Sequence, residues 1–384
     1  MRKILLLTEN FPPIEGGSGR WFWELYSRLP REQVVIMAHN CKGASEFDSG
    51  HDLRVLREQM KSREWGVKSI TGMLFYFRMI RLVYRAVKQH KVTEIHCGRV
   101  LHEGVTAWIV SKLARIPFFC FVHGEDVETA ATSREQRALV KAVCTYANLI
   151  ICNSHNSKRL VEELSFYKGN KCQVLHPGVD SERFIPSATD RKFREKMGWG
   201  GKRVVLTVGR LQKRKGQDYL LRCMPRLLQD DPNLFYAVVG KGECLGELQS
   251  LIDAMGLHNN VHIYPNLNDE DLIRCYQQCD LFVLPNRTIE NDIEGFGMVL
   301  VEAQCCGKAV VAGNSGGTAE TMLQGETGYI IDCDSVDSVY KYLSPILKKT
   351  DLDIVGDRAS SFARETFSWD KHVKRATELF EKWI

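Results

Sequence analysis

The chain has no run of about eighteen uncharged apolar residues, the length a helix needs to cross a bilayer, so no transmembrane helix is expected among its 384 residues. Ile4-Leu5-Leu6-Leu7 behind Arg2 and Lys3 has the outline of a secretory leader. That apolar stretch is only about four residues long and runs into Glu9 and Asn10, so it reads as a buried first strand. The thirteen cysteines are odd in number, scattered and without paired Cys-x-x-Cys spacing. Cys275 and Cys279 share a helical spacing, but no second Cys or His pair completes a zinc set. No metal site is therefore expected, and the thiols read as reduced, mostly buried groups of a cytoplasmic protein. Short repeats and low-complexity tracts are absent, and no nucleic-acid-reading motif accompanies the basic residues.

What is present begins with charge. The net charge is +5. Residues 1–180 carry 26 Lys/Arg against 18 Asp/Glu, and the remainder 26 against 29. The stretch Arg54–Lys91, with ten basic and two acidic residues, supplies the whole excess of the first half. Within it Arg78, Arg81, Arg85 and Lys88 fall on one stripe of a predicted helix spanning about Ile70–His90, beside Leu74, Phe75, Phe77, Ile80, Leu82 and Val83. Such a helix either meets an anionic membrane surface or packs its apolar side in the core with its charges in water.

The length suits two domains. Strand-like stretches alternate with helical ones: Lys3–Thr8, Val34–Ala38, Leu53–Leu56, Glu94–Cys97, Phe118–Val122, Leu149–Asn153 and Gln173–His176 in the first half. The second half offers Arg203–Val208, Phe235–Val239, Val261–Tyr264, Leu281–Leu284, Ala309–Ala312 and Gly328–Ile331. This alternation predicts an α/β fold with two parallel, doubly wound halves. The first helix is expected from about Gly19 to Leu29, and a closing helix over 369–384. The polar passage Asp180–Lys202 is the expected boundary, between domains 1–180 and 181–366. Ligands of such sheets bind at the carboxyl ends of the strands, and a cleft between the domains is the default site.

Four loops after predicted strands carry residues suited to chemistry. Gly16-Gly17-Ser18-Gly19 offers backbone amides at a helix start, either for a phosphate or as an ordinary turn. Gly209-Arg210-Leu211, followed by Lys213-Arg214-Lys215-Gly216, puts Arg210 and Lys215 where two cations would oppose the charge of a diphosphate. The alternative is a solvated basic loop. His123-Gly124-Glu125-Asp126 closes the strand Phe118–Val122, with Asp126 a candidate helix N-cap.

The richest segment is Glu294-Gly295-Phe296-Gly297-Met298-Val299-Leu300-Val301-Glu302. Eight helical residues would turn the second carboxylate roughly 80° from the first. The pattern therefore puts Glu294 in the loop ahead of a helix and Glu302 two turns in, among apolar residues where its carboxylate needs a partner. Ribose hydroxyls would serve. Gly313-Asn314-Ser315-Gly316-Gly317 is a further strand–loop–helix passage. Gly240 and Gly242 imitate a dinucleotide fingerprint, but the third glycine, Gly246, is one position late. They read as a base-side or packing loop, and Leu267 after the Val261–Tyr264 strand joins the nucleotide-side candidates.

Taken in order, Gly-Arg-Leu with Lys-Gly, Glu-Gly-Phe-Gly with the second Glu, the Gly-Gly-x-x-Glu loop, His123-Gly124, Asn153-Ser154 and Pro177-Gly178-Val179-Asp180 resemble the retaining glycosyltransferases of family 4, over essentially the whole chain. The resemblance implies a GT-B fold of two facing Rossmann-like domains. It implies transfer of a hexosyl residue from a UDP- or GDP-linked donor, without a metal or other cofactor, to a glycan or lipid-linked acceptor in polysaccharide or glycolipid synthesis. Mapped onto this chain, Arg210, Lys215 and the Gly16–Gly17 amides would hold the diphosphate, and Gly295 through Val299 would line the donor. Glu302 would take the ribose, Glu294 the donor sugar, and His123 the transferred group. The closing helix, 367–384, would cross back to the first domain. Location is expected to be cytoplasmic, at the inner membrane face if the basic helix binds lipid. Asn291-Asp292-Ile293 make this loop more polar than the commonest family form, with Asp292 either a sugar contact or a turn cap. Alternatives on the same fold are a sugar-nucleotide epimerase, a phosphorylase or a non-catalytic nucleotide-sugar-binding membrane protein.

Overall fold

The central strands of the second half deliver alternate side chains to two apolar layers, as a sheet covered on both faces requires. In the computed structural model, which describes residues 2–62, 66–124, 127, 133–165 and 170–383, the chain forms two compact units. One comprises Met1–Pro177 with Trp369–Ile384, the other Gly178–Ser368.

The first unit holds a seven-stranded parallel sheet, order β3-β2-β1-β4-β5-β6-β7. Its strands are β1 Ile4–Thr8, β2 Val34–His39, β3 Arg54–Glu58, β4 Glu94–Cys97, β5 Phe118–Val122, β6 Leu149–Cys152 and β7 Cys172–Val174. The second unit holds a six-stranded parallel sheet, order β10-β9-β8-β11-β12-β13. Here β8 is Arg203–Val208, β9 Leu234–Val239, β10 Val261–Tyr264, β11 Leu281–Leu284, β12 Val310–Gly313 and β13 Gly328–Ile331. The chain order reverses between β1 and β4 in the first sheet and between β8 and β11 in the second. Those switch points open crevices at the carboxyl ends of the strands.

Val205, Tyr236, Val238, Val283 and Val311 feed one layer of the second unit. Val204, Leu206, Phe235, Ala237, Phe282 and Leu284 feed the other. Edge strand β3 differs, partly exposed and carrying Arg54, Arg57 and Glu58, which blunts the open edge. It runs to Glu58 where the apolar pattern stopped at Leu56, because pairing with β2 continues through His39↔Glu58 after the alternation has ended. β7 ends at Val174 rather than His176, and the first helix starts at Gly17 rather than Gly19. None of the thirteen cysteines, all of them among the described residues, is in a disulfide, and all but Cys41 are buried.

The terminal helix Trp369–Lys382 docks within the first unit. Trp21 donates its indole N–H to His372 Nε2 at 3.0 Å, and His372 Nδ1 donates to the His176 carbonyl at 2.7 Å. Phe380 meets His96 edge-on at 4.6 Å. No helix of the described residues is long and apolar enough to cross a membrane.

Candidate active site

The site of the second unit is built by backbone pressed on backbone around its switch point. After β8 the chain passes Gly209, whose N–H donates to the Val239 carbonyl at 2.9 Å. A Cβ on Gly240 would stand 2.0 Å from the Gly209 oxygen, and one on Gly242 2.3 Å from the Leu211 oxygen. These two glycines let the loops after β8 and β9 touch, which is the packing role among the roles expected for them. Gly216 sits at φ +75°, and a Cβ there would meet the Pro285 oxygen at 1.7 Å. Only glycine accepts both demands, and it clamps the β8 loop to the loop after β11.

That contact gathers the charges. Lys215 Nζ lies 2.5 Å from Glu294 Oε2, and Arg214 Nη1 lies 2.6 Å from the same oxygen. Arg214 Nε reaches Asp292 Oδ1 at 2.9 Å. Arg214, Lys215 and Glu294 are each less than a tenth exposed. Burial pushes the Glu294 carboxyl up, but the Lys215 and Arg214 charges and hydrogen bonds outweigh it and hold its pKa at about 2. Asp292 closes a turn with Ile289 through backbone hydrogen bonds at 2.8 and 3.0 Å, and its half-exposed carboxylate is also an ion-pair partner of Arg214. Arg210, by contrast, is exposed, and Gln217 anchors its carbonyl at 3.0 Å.

The loop after β12 completes the frame. Gly317 donates to the Glu294 carbonyl at 2.9 Å. Gly316, at φ +69°, approaches so closely that a Cβ would stand 1.8 Å from that oxygen. Asn286 bridges the two loops, donating to the Ser315 carbonyl and accepting from the Gly313 N–H, each at 3.0 Å. Gly297, left-handed at φ 91°, caps the helix Met298–Cys305. Glu302 is the fifth residue of that helix, just over one turn in rather than two. It is buried, and Tyr276 donates its hydroxyl to Glu302 Oε2 at 2.7 Å. The inward carboxylate thus has a partner inside the protein.

Phe296 departs from expectation, its ring buried against Phe367 at 5.6 Å. This side chain positions the loop from below, because an apolar ring between two glycines is drawn into the core. Gly295, Met298, Val299 and Leu267 are partly buried.

In the first unit His123 stands at the end of β5, buried and flanked edge-on by Trp21 at 5.6 Å and Phe22 at 5.7 Å. Its Nε2 donates to the Gly98 carbonyl at 2.9 Å, after β4. A carbonyl only accepts, so Nε2 carries a proton. Asn153 Nδ2 donates to the His123 carbonyl at 3.3 Å, and Ser157 donates to Asn153 Oδ1 at 2.6 Å. The Asn153-Ser154 pair thus braces the histidine's backbone. Gly16 precedes the helix Gly17–Tyr26 without a side-chain cap. Glu125 and Asp126 lie outside the described residues.

Sequence reasoning missed four contributors. Arg214 was one of three neighbouring cations with nothing to single it out. Tyr276 lies on the helix Asp269–Gln278, distant in sequence from its partner Glu302. Arg287 and Asp218 form a two-point ion pair at 2.8 and 2.9 Å, and the guanidinium stacks 3.7 Å over Tyr219. None of these pairings has a sequence spacing that announces it.

A twice-repeated α/β unit with cations and an ionised carboxylate at a switch point defines a class of enzymes suited to phosphorylated ligands. Residues 189–364 match the model for glycosyl transferases group 1, and residues 15–183 match that for glycosyltransferase family 4. The chain belongs to this family of glycosyltransferases. The GDP-mannose-dependent alpha-(1-6)-phosphatidylinositol monomannoside mannosyltransferase of Mycolicibacterium smegmatis is 28% identical over 386 residues, covering 98% of this chain and 97% of the relative. The corresponding monoacylated-lipid mannosyltransferase of Corynebacterium glutamicum is 26% identical, covering 99% and 98%. Anabaena HepE, solved with UDP and glucose, superposes with a TM-score of 0.83 at 21% identity over 100% of both chains. WaaG, a glycosyltransferase of lipopolysaccharide biosynthesis, gives 0.72 at 17% identity over 98% and 99%. These likenesses establish the fold, two Rossmann-like domains of the GT-B class.

Proposed function

We propose that this glycosyltransferase moves a hexosyl residue from a nucleotide-diphosphate sugar to a glycan or lipid-linked acceptor, with retention at the anomeric carbon and without a metal. GDP-mannose is the first donor to test, because relatives matching nearly the whole chain are named for it. A UDP-linked hexose is the second, on the strength of HepE. The observation that carries the reading is the cluster of Lys215, Arg214 and Glu294 at the switch point of the second sheet.

In this mechanism the bond between the sugar's anomeric carbon and the β-phosphate oxygen breaks. Positive charge grows on the sugar and negative charge on the departing diphosphate. Arg210, Lys215 and the backbone amides near Gly17 and Gly297 oppose the second. The acceptor oxygen attacks from the leaving-group face and bonds to the anomeric carbon, while its proton passes to the departing phosphate. Glu294 holds the donor sugar, Glu302 with Tyr276 takes the ribose, and His123 contacts the transferred group. Glu294 is engaged by two cations and Glu302 by the Tyr276 hydroxyl, so this reading gives neither carboxylate the nucleophile's part in a double displacement.

The acceptor is assigned to a membrane surface. On the helix Ile70–His90, Ile70, Met73, Leu74 and Phe77 are 72%, 51%, 64% and 68% exposed. They form an i, i+3, i+4, i+7 stripe continuing into exposed Arg78, Arg81, Arg85 and Lys88. An apolar stripe with cations at its edge suits anionic lipid. Co-sedimentation with phosphatidylserine vesicles but not phosphatidylcholine vesicles is the expected result; equal absence from both ends the membrane reading.

The enzyme reading is tested with the full chain, GDP-mannose or UDP-glucose, and an extracted lipid acceptor. Nucleoside diphosphate released only when acceptor is present, with an anomeric signal of retained configuration by NMR, is expected. Release without acceptor or epimerised donor points to the other enzyme classes. Binding of donor without turnover points to a non-catalytic binding protein.

A further inference from the structure

The two cations on Glu294 are built differently. Lys215 is a flexible stem whose ammonium carries three donors that can be shared. Its Nζ lies 3.8 Å from the point where Gly209 would carry a Cβ, so it runs along bare backbone at the end of β8. Arg214 is locked. Nη1 donates to Glu294 Oε2 at 2.6 Å, Nε stands at ion-pair distance, 2.9 Å, from the half-exposed Asp292 carboxylate, and the Arg214 carbonyl accepts the Arg287 N–H at 2.8 Å. Arg287 is fixed in turn by its two-point pair with Asp218 and by Tyr219 beneath it.

We propose that Arg214 is the positioning residue of this site, keeping Glu294 aimed at the donor sugar while Lys215 turns its charge to the diphosphate. The proposal rests on the nucleotide-sugar reading above. A diphosphate arriving beside Gly209 competes with Glu294 for the ammonium of Lys215. Without a second, immobile cation the carboxylate would lose its only strong partner at the moment it must hold a hydroxyl. Asp292 holds the far edge of the guanidinium, which gives the polar Asn291-Asp292-Ile293 passage a task. The charged groups facing Glu294 are Lys215 and Arg214 from the β8 loop, with Asp292 on its own loop behind Arg214. The β12 loop contributes backbone at Gly316 and Gly317, and the Arg287–Asp218 pair lies beyond Arg214.

The test compares wild type with Arg214→Met, Arg214→Lys and Asp292→Asn, using GDP-mannose turnover from pH 4 to 9. Circular dichroism and Tm serve as the check on folding. Misplacing Glu294 is expected to lower kcat by about 10- to 100-fold, with the donor KM changed less than about threefold because Lys215 and Arg210 remain. Wild type, with Glu294 held at about 2, shows no Glu294 limb in this window; loss of the guanidinium removes an influence that lowers that pKa, so kcat of the variant falls at the acid end where wild type stays flat. Arg214→Lys recovers part of kcat, and Asp292→Asn gives an intermediate loss. An Arg214→Met enzyme with a lower Tm but unchanged kcat and an equally flat acid end overturns the inference, as does a rise in KM alone. If wild type turns over neither GDP-mannose nor UDP-glucose and neither donor raises its Tm, the nucleotide-sugar reading falls and this inference with it. Wild-type turnover with an indifferent Arg214→Met variant removes this inference only.

Discussion

The two sheets reverse chain order in the same way, yet their switch points are furnished with opposite chemistry. The second is ionic: Lys215 and Arg214 share Glu294 Oε2, and Arg214 continues to Asp292. The first carries fewer charges and more rings: Glu9 and Arg99, just after β1 and β4, pair loosely at 3.9 Å, and the histidine after the neighbouring β5 is set among aromatic side chains. His123 lies between Trp21 and Phe22 and bonds the Gly98 carbonyl. Its buried carboxylate, Glu103, accepts the backbone N–H of Glu9 at 2.5 Å. The same backbone topology therefore supplies a crevice in both units, and only the side chains on its loops decide what enters. The ionic one suits a polyanion, the aromatic one the apolar face and hydroxyls of a sugar.

Four experiments would break or sharpen this contrast. Glu294→Ala leaves two buried cations without their anion and is expected to cost about 3–5 kcal/mol, the scale for breaking a buried pair; urea unfolding measures it. A loss under about 1 kcal/mol would mean that water compensates the pair and the cluster is not truly interior. Next, Lys215→Ala and Arg210→Ala should each lower turnover by about 10²- to 10³-fold, the scale for one lost charge-stabilising donor. Steady-state kinetics near wild type in both would strip the ionic site of its catalytic meaning.

The third prediction uses acid to separate the units. Burial pushes the His372 imidazole pKa down to about 3, against the opposing hydrogen bond to the His176 carbonyl. A histidine buried neutral binds fewer protons folded than unfolded, so its contribution is complete above about pH 6.5 and is lost as pH falls towards 3. The slope is at most about 1.4 kcal/mol per pH unit. The depressed carboxyl of Glu294 contributes above its unfolded value and is lost only as pH falls through about 2. Hydrogen exchange between pH 6.5 and 5 should therefore rise in the helix Trp369–Lys382 and stay unchanged around Glu294. Equal change in both regions would refute the assignment. The smallest effect is at the basic helix Ile70–His90: if it meets lipid as proposed, Arg81→Glu or Arg85→Glu should weaken binding to anionic vesicles by about 1 kcal/mol per removed basic charge, with the reversed sign adding to it, read by co-sedimentation.

Much of the architecture could be read from the pattern, because parallel strands buried on both faces are written as short apolar runs ended by glycine, proline or asparagine. β4, β5, β8, β10, β11 and β13 match the apolar runs residue for residue. The edge strand β3 did not, since an edge tolerates charge where a central strand does not. Glu294, Lys215 and Arg210 stood out in the sequence for a related reason: each lies on a loop that follows a strand, where ligands of such sheets bind, and the structure brings Lys215 and Glu294 together. Arg214 was not. Its weight comes from contacts to Asp292 and Glu294, about eighty positions away, and no local spacing encodes a contact of that length. Phe296 shows the complementary case, a residue inside a ligand-like motif whose ring turns into the core and leaves only its backbone to the loop.

The order of apolar runs and turn residues by itself determined two α/β halves, the strand-end loops and the residue types on them, because burial and backbone sterics act over a few neighbours at a time. Only the tertiary structure decided which of three adjacent cations is pinned, that Tyr276 serves Glu302, and that Asp292 holds a guanidinium. Those choices depend on which loops the sheet order brings side by side. Here a Cβ on Gly216 or Gly316 would stand 1.7 or 1.8 Å from the facing carbonyl oxygen, so only bare backbone lets these loops meet.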